Sequence, residues 1–204
     1  MISAQDALEQ LREGNRRFVD GDRTLNTLLT QGRRDQLLVN QAPIAVILGC
    51  SDSRVPVEIV FDQGLGDLFV IRVAGNIVAP SQVGSVEFAA ERLGTRLVVV
   101  LGHTRCGAVR ATLDDLEKAA TNLWNMNSIV ARIRPSVEEL LSTPLKHDYE
   151  SLWDHAVRAN VRASSNQLRH GSDVLERLMR SNGLRIVGAE YSLETGVVDF
   201  FDGV

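Results

Sequence analysis

Two stretches of the sequence decide the fold: residues 44–54 read IAVILGCSDSR, and residues 96–107 read RLVVVLGHTRCG. In both, an apolar run with the length of a buried strand leads into a glycine and then into polar residues. Continuous Val/Ile/Leu runs of this kind are typical of parallel strands that are covered by helices on both faces. We therefore predict strands at Ile44–Leu48 and Arg96–Leu101 in a buried parallel sheet.

The remaining segments alternate between strand and helix patterns. Strands are expected at Leu68–Val73 and from Leu184, and the turn Glu194-Thr195-Gly196 indicates a hairpin that returns antiparallel through Val197–Phe201. Helices are expected at Ser3–Phe18 with Ser3 as N-cap and Gly21 as stop, at Val57–Phe61, from a Ser81 cap to Leu93, from Gly107 to Ala120, and through residues 121–182 with breaks at Pro135, Pro144 and Gly171. The predicted fold class is α/β, one domain over residues 1–204 with a mostly parallel central sheet flanked by helices and a C-terminal antiparallel edge strand.

Residues 1–40 form an N-terminal helical arm in this prediction. Beyond its first helix the arm is mostly polar, with a short apolar cluster at Leu37-Leu38-Val39. An arm with so little apolar surface must pack either on its own core or on a partner subunit. We expect residues 3–39 to pack across a dimer interface.

The composition excludes several classes of protein. A formal net charge of −4 argues against a nucleic-acid binder, and 44% hydrophobic with 24% charged residues is ordinary for a globular domain. Two cysteines are too few for a disulfide-stapled secreted scaffold. The longest apolar runs are about five residues, far below a membrane span, and no signal peptide is visible. A cytoplasmic protein is therefore expected.

Both cysteines and one histidine are predicted to lie at strand ends. Cys50 follows the first strand, and His103 and Cys106 follow the third. Ligands of open α/β sheets bind at the carboxyl ends of strands, where the strand order reverses. Two thiolates and an imidazole suit tetrahedral zinc. A single strand-end cysteine is more often a packing residue, and a redox pair is disfavoured because no Cys-x-x-Cys is present.

The motifs identify a family resemblance that covers nearly the whole chain. Residues 50–54, 103–107, 69–76 and 188–191 resemble those of the β-class carbonic anhydrases. The resemblance implies a zinc enzyme that interconverts CO2 and bicarbonate and that forms a homodimer or homotetramer. It implies Cys50, His103 and Cys106 as ligands of Zn2+.

The same resemblance implies roles for further residues. Asp52 and Arg54 match a catalytic pair, in which Asp52 accepts a hydrogen bond from zinc-bound water; in a closed, inactive state Asp52 is itself the fourth zinc ligand. Gln41, Phe69 and Phe88 match a substrate pocket of one amide and an apolar wall, which suits uncharged CO2. Without the resemblance, the two phenylalanines read as core residues and the Asp–Arg pair as a surface salt bridge.

Gly107 is a further candidate for substrate binding, since a glycine lets backbone approach the site closely, although a packing glycine is an equal alternative.

Zinc chemistry is compatible with this assignment. A bound zinc ion lowers the pKa of its water to about 7 and so makes hydroxide available. Two thiolates cancel the charge of the ion, so this centre should acidify water less than one with three imidazoles. We expect an activity that rises through alkaline pH.

Two alternatives and one regulatory question remain open from the sequence. The same scaffold could serve a hydrolase of carbonyl sulfide or carbon disulfide, or a non-catalytic zinc-stabilised binding protein, although Asp52 and Arg54 argue against the latter. Some relatives bind inhibitory bicarbonate through a tryptophan, an arginine and a tyrosine. Arg72 and Tyr191 match two of these, but Ile47 stands in the position of the tryptophan, which argues against this regulation.

Overall fold

A five-stranded sheet organises the chain in the computed structural model, which describes residues 2–22, 31–118 and 126–204. Its strands are β1 Ala45–Gly49, β2 Leu68–Arg72, β3 Leu97–His103, β4 Arg185–Tyr191 and β5 Val198–Asp202. The order is β2-β1-β3-β4-β5, with the first four strands parallel and β5 antiparallel to β4. The predicted α/β fold and its antiparallel edge strand are confirmed.

Helices cover both faces of the sheet, which is why β1 and β3 are buried along their whole length. The helices are α1 Ala4–Asp20, α2 Gln31–Leu37, α3 Val57–Val60, α4 Pro80–Arg92, α5 Gly107–Lys118, α6 Asn127–Val137, α7 Tyr149–His170 and α8 Asp173–Ser181, with 3-10 turns at Ala74–Asn76, Glu138–Ser142 and Pro144–His147. Alternate residues of each strand face opposite layers: Ile47 packs with α1 and α3, and Val46 packs with α4, α7 and α8. None of the helices in the described ranges is long and apolar enough to cross a membrane.

Helix α1 packs on the core of its own chain. Ser3 caps it by accepting a hydrogen bond from the Asp6 amide, and Gly21 ends it with a φ of +77°, as predicted. Buried Asn15 donates to the carbonyls of Val60 at 3.1 Å and Gly196 at 2.9 Å and accepts from the Val198 amide at 2.8 Å. Of the two alternatives for the arm, α1 therefore packs on the core of its own chain. That residues 3–39 also pack across a dimer interface stays a prediction.

Most predicted boundaries differ from the observed ones by one or two residues, and three differences have a clear structural meaning. Ser81 does not cap α4, because proline is favourable in the first helical turn and the helix already begins at Pro80. Strand β3 continues to His103, so this histidine ends the strand instead of following it. Pro135 lies inside α6 and the helix ends two residues later. The predicted end of the fifth helix at Ala120 lies outside the described residues.

Candidate metal centre

The crevice between β1 and β3 positions the candidate ligands. Strand β2 lies on one side of β1 and β3 on the other, so the connections that leave β1 and β3 diverge at their carboxyl ends. Cys50 directly follows β1, and His103 ends β3. A turn with Arg105 in the left-handed region, at a φ of +59°, then brings Cys106 back toward the same crevice.

The three side chains meet in one buried cluster. One ligand atom from each of Cys50, His103 and Cys106 lies within 4.8 Å of the others. The three residues are exposed to 4%, 0% and 1%, so the cluster is almost completely buried. Tetrahedral zinc has Zn–S distances of about 2.3 Å, which places its ligand atoms about 3.8 Å apart. The described cluster is of the size that one zinc ion requires.

The tautomer of His103 also fits a metal. Nδ1 lies 2.9 Å from the Thr104 carbonyl oxygen, which can only accept, so Nδ1 carries the proton and donates it. Nε2 then presents a lone pair, and it is buried without a hydrogen-bond partner among the described residues. An orphaned buried nitrogen with its ring fixed through the other nitrogen is the usual arrangement of a metal-binding histidine.

The two thiols influence each other strongly. A hydrogen bond with the Cys106 side chain lowers the pKa of Cys50. The pKa of Cys106 is raised in turn, because its proton is held in that bond. A divalent cation bound here would hold both sulfurs as thiolates, so its binding would release the proton that remains on the pair.

Asp52 lies beside the cluster as an ionised carboxylate. Arg54 donates to Oδ1 from Nε at 2.9 Å and to Oδ2 from Nη2 at 2.7 Å, and its backbone amide adds a bond to Oδ1 at 2.9 Å. These bonds, the side-chain ones first, lower the pKa of Asp52 to about 2. Oδ2 is 3.8 Å from Nε2 of His103. The carboxylate therefore faces Arg54 and adjoins the ligands.

A second layer of side chains holds the backbone of the ligands. Arg72 donates to the carbonyls of Cys50 at 3.0 Å and Asp52 at 2.5 Å. Trp153, on α7, donates from Nε1 to the Cys106 carbonyl at 3.0 Å. Nothing in the sequence marks Trp153 as a residue of the site, because its spacing on α7 is that of any buried helical residue. Arg72 is singled out in the sequence only as a possible residue of an inhibitory bicarbonate site.

Arg72 and Tyr191 do not adjoin each other in the sheet. They end β2 and β4, with β1 and β3 between them, which separates their backbones by about 14 Å at the usual strand spacing. Ile47 is fully buried in β1. The guanidinium of Arg72 is hydrogen-bonded to the carbonyls of Cys50 and Asp52, and the expected absence of bicarbonate regulation stays a prediction.

Of the predicted pocket residues, one adjoins the ligands within a single chain. Gly107 follows Cys106, and a Cβ there would meet no atom within 4 Å, so packing does not demand the glycine. Gln41 is exposed and precedes β1, at the end of the strand opposite Cys50. Phe69 pairs with Val46 in register, about 10 Å below the metal-binding edge, and its ring stacks 6.2 Å from that of Phe88.

Together the fold and the site define an α/β protein in which two cysteines and a histidine form a possible metal site at the switch point of the sheet. The family model "Carbonic anhydrase" matches residues 45–198. Carbonic anhydrase 2 of Mycobacterium tuberculosis is 39% identical over 190 residues, which cover 93% of this chain and 89% of that protein. The chain therefore belongs to the β-class carbonic anhydrase family and is a zinc-dependent carbonic anhydrase.

Solved structures agree with this assignment. The β-carbonic anhydrase CafA of Aspergillus fumigatus superposes with a TM-score of 0.77 at 27% identity, covering 84% of this chain and 81% of that one. Two tetrameric β-carbonic anhydrases of Sordaria macrospora share the fold, at a TM-score of 0.75 and 23% identity, with coverage of 82% and 85%. The resemblance seen in the sequence motifs is confirmed.

Proposed function

We propose that this chain hydrates CO2 reversibly to bicarbonate and a proton at a centre formed by Cys50, His103 and Cys106. The observation that carries the proposal is the buried Nε2 of His103, which has no hydrogen-bond partner in the described part of the chain and lies beside two cysteine side chains and an ionised Asp52. Zinc supplies a Lewis acid that makes hydroxide available near neutral pH. Because two thiolates offset its charge, the activity is expected to rise through alkaline pH.

We assign Asp52 as the acceptor of a hydrogen bond from the water that would attack CO2. Its carboxylate is ionised and lies next to the ligand set. The bidentate bond from Arg54 restrains the carboxylate, since turning it toward the ligands would break two charge-assisted bonds. Arg54 thus favours the open arrangement over the one in which Asp52 is a fourth ligand.

Metal content and stopped-flow CO2 hydration test this proposal. Cys50→Ser replaces a thiolate by a weak hydroxyl ligand, so we expect zinc stoichiometry and hydration to fall together. Ser165→Ala is the matched control, because its buried hydroxyl has no hydrogen-bond partner in the described part of the chain and lies outside the site. Wild-type protein without zinc, or with zinc and no hydration at alkaline pH, would refute the proposal.

Gln41, Phe69 and Phe88 are assigned to a substrate pocket completed by a second copy of the chain. They lie away from the ligands of their own chain, and Phe88 is 50% exposed. Leu38 and Val39, just before Gln41, are 83% and 93% exposed, which is costly for apolar side chains unless a partner covers them. We propose a homodimer or a tetramer built from dimers; the Sordaria macrospora enzymes are tetrameric.

Sedimentation velocity with parallel hydration assays tests the subunit assignment. Val39→Asp is expected to shift the protein toward a monomer and to reduce hydration in proportion. Val204→Asp adds the same charge at an exposed apolar residue of the C-terminus and serves as the control. A fully active Val39→Asp monomer would contradict the assignment.

A reducing compartment, the cytoplasm, is proposed because the site needs both cysteines as thiols. Cell fractionation followed by immunoblotting tests this, with recovery in an oxidising compartment as the contrary result.

A further inference from the structure

Gly75 donates a hydrogen bond to the sulfur of Cys50. The residue lies in the turn Ala74–Asn76, which follows β2, and its backbone N–H is directed at Sγ at 3.3 Å. Its φ is +69°, a conformation that glycine adopts without the steric cost of a side chain. The direction of this amide depends on a backbone conformation that needs support from its surroundings.

Residues of two helices pack closely against this turn. A Cβ on Gly75 would lie 2.7 Å from Cδ1 of Ile133, on α6, and 3.1 Å from Cβ of Ala108, on α5. Glycine is therefore required here for space as well as for conformation. The close packing leaves the turn little room to move away from the Cys50 sulfur.

Asn160 fixes the other side of the same glycine. This residue of α7 is 2% exposed, and its Nδ2 donates to the Gly75 carbonyl at 2.7 Å. Its helix neighbour Val161 and nearby Val157 are buried apolar residues. A buried amide in such surroundings costs free energy unless it is hydrogen-bonded, so this bond accounts for a polar residue at this position.

We propose that Asn160 is a positioning residue for the zinc centre. By holding the Gly75 carbonyl, it keeps the Gly75 amide on the Cys50 sulfur, and that N–H···S bond withdraws electron density from the thiolate. Asn160 thereby tunes the donor strength and the orientation of one zinc ligand from α7. The inference rests on the proposed assignment of Cys50 as a ligand.

Wild-type chain loaded with cadmium-113 separates the two proposals by NMR. We expect scalar coupling from the metal to the Cβ protons of Cys50 and, through the N–H···S bond, to the amide proton of Gly75. Coupling to Cys50 without coupling to Gly75 overturns the role of Asn160 and leaves the ligand assignment standing. Absence of coupling to Cys50 overturns the ligand assignment and the inference with it.

A matched pair of variants tests Asn160 itself. Asn160→Leu removes the amide, and Val161→Ala removes packing from the next residue of α7, so both should lower the Tm. We expect Asn160→Leu alone to weaken zinc binding about 10-fold to 100-fold in chelator competition. We also expect it to shift the thiolate-to-metal charge-transfer band of the cobalt-loaded protein to longer wavelength.

An unchanged band in Asn160→Leu, or equal changes in both variants, overturns the proposal. Should Asn160→Leu fail to fold, the cadmium measurement on wild-type protein decides.

Discussion

Replacing Arg54 by glutamine should release Asp52 from its restrained orientation. The substitution removes the bonds at 2.9 and 2.7 Å from the guanidinium and keeps the backbone bond at 2.9 Å. The Arg54 side chain is 54% exposed, so solvent screens the pair and each lost bond is worth at most about 1 kcal/mol. The carboxylate therefore loses roughly 1–2 kcal/mol of orientational preference, which corresponds to about 5-fold to 30-fold.

The loss should appear in kcat/KM for CO2 hydration, measured by stopped flow at several alkaline pH values. The side chain of Arg54 is the main reason why the pKa of Asp52 is about 2. Without it the pKa rises toward the ordinary aspartate value of about 4, and the carboxylate remains ionised at every assay pH. Arg54→Gln should therefore lower the rate by a constant factor without changing the shape of the pH profile.

Arg16→Gln is the matched control. Arg16 is 60% exposed and binds both oxygens of Glu13, at 2.6 and 3.1 Å, on the outer surface of α1. Its replacement removes the same kind of pair on a helix that supplies none of the candidate ligands. A rate for Arg54→Gln within about twofold of the wild type, or an equal loss in Arg16→Gln, would refute the reasoning about Asp52.

Three further predictions concern stability. Asn15→Ala leaves three backbone groups without their partner and should lower the free energy of unfolding by about 3 kcal/mol in urea titrations; a loss below about 1 kcal/mol would show that water replaces the amide. Trp153→Phe removes the hydrogen bond to the Cys106 carbonyl and should lower the free energy of unfolding by about 1 kcal/mol. An unchanged free energy of unfolding would show that Trp153 contributes only by packing. Burial raises the pKa of Tyr191, so its contribution is present below the unfolded pKa of about 10 and is lost as the pH rises through the folded value. The urea midpoint of Tyr191→Phe should therefore rise relative to that of the wild type above about pH 10. A difference between the two midpoints that stays constant from about pH 8 to about pH 11 would contradict this.

The sequence predicts the metal centre because its signals are local. An apolar run followed by Cys50, and another followed by His103 and Cys106, need only the rule that ligands gather at strand ends where the order reverses. The predicted strand limits differ from the observed ones by one or two residues. His103 therefore lies in β3 and not after it, but it still lies at the carboxyl end of the strand. The positions of the three candidate ligands can thus be predicted from short segments of the sequence.

The side chains that hold the backbone around the candidate ligands cannot be predicted in this way. Trp153 and Asn160 lie on α7, and their partners Cys106 and Gly75 are 47 and 85 residues away in the chain. Nothing in the helix pattern distinguishes them from ordinary buried residues. The same holds for Asn15, whose partners lie on α3 and on the C-terminal hairpin, so the sequence could not decide whether α1 packs on its own core.

The meeting of β1 and β3 at the crevice links metal occupancy to folding. Cys50 and His103 are 53 residues apart, so an unfolded chain must close a long loop before one ion can bind both, at an entropic cost of roughly 3–4 kcal/mol. A slip of one residue between the two strands would turn the side chains at their ends to opposite faces. On the proposed assignment of Cys50 and His103 as ligands of one ion, that ion would bind the native pairing in preference to a slipped one and would stabilise it by mass action. Zinc occupancy would then report whether β1 and β3 pair in the correct register. Removal of zinc by a chelator should lower the stability of the whole sheet and not only that of the loops around the site.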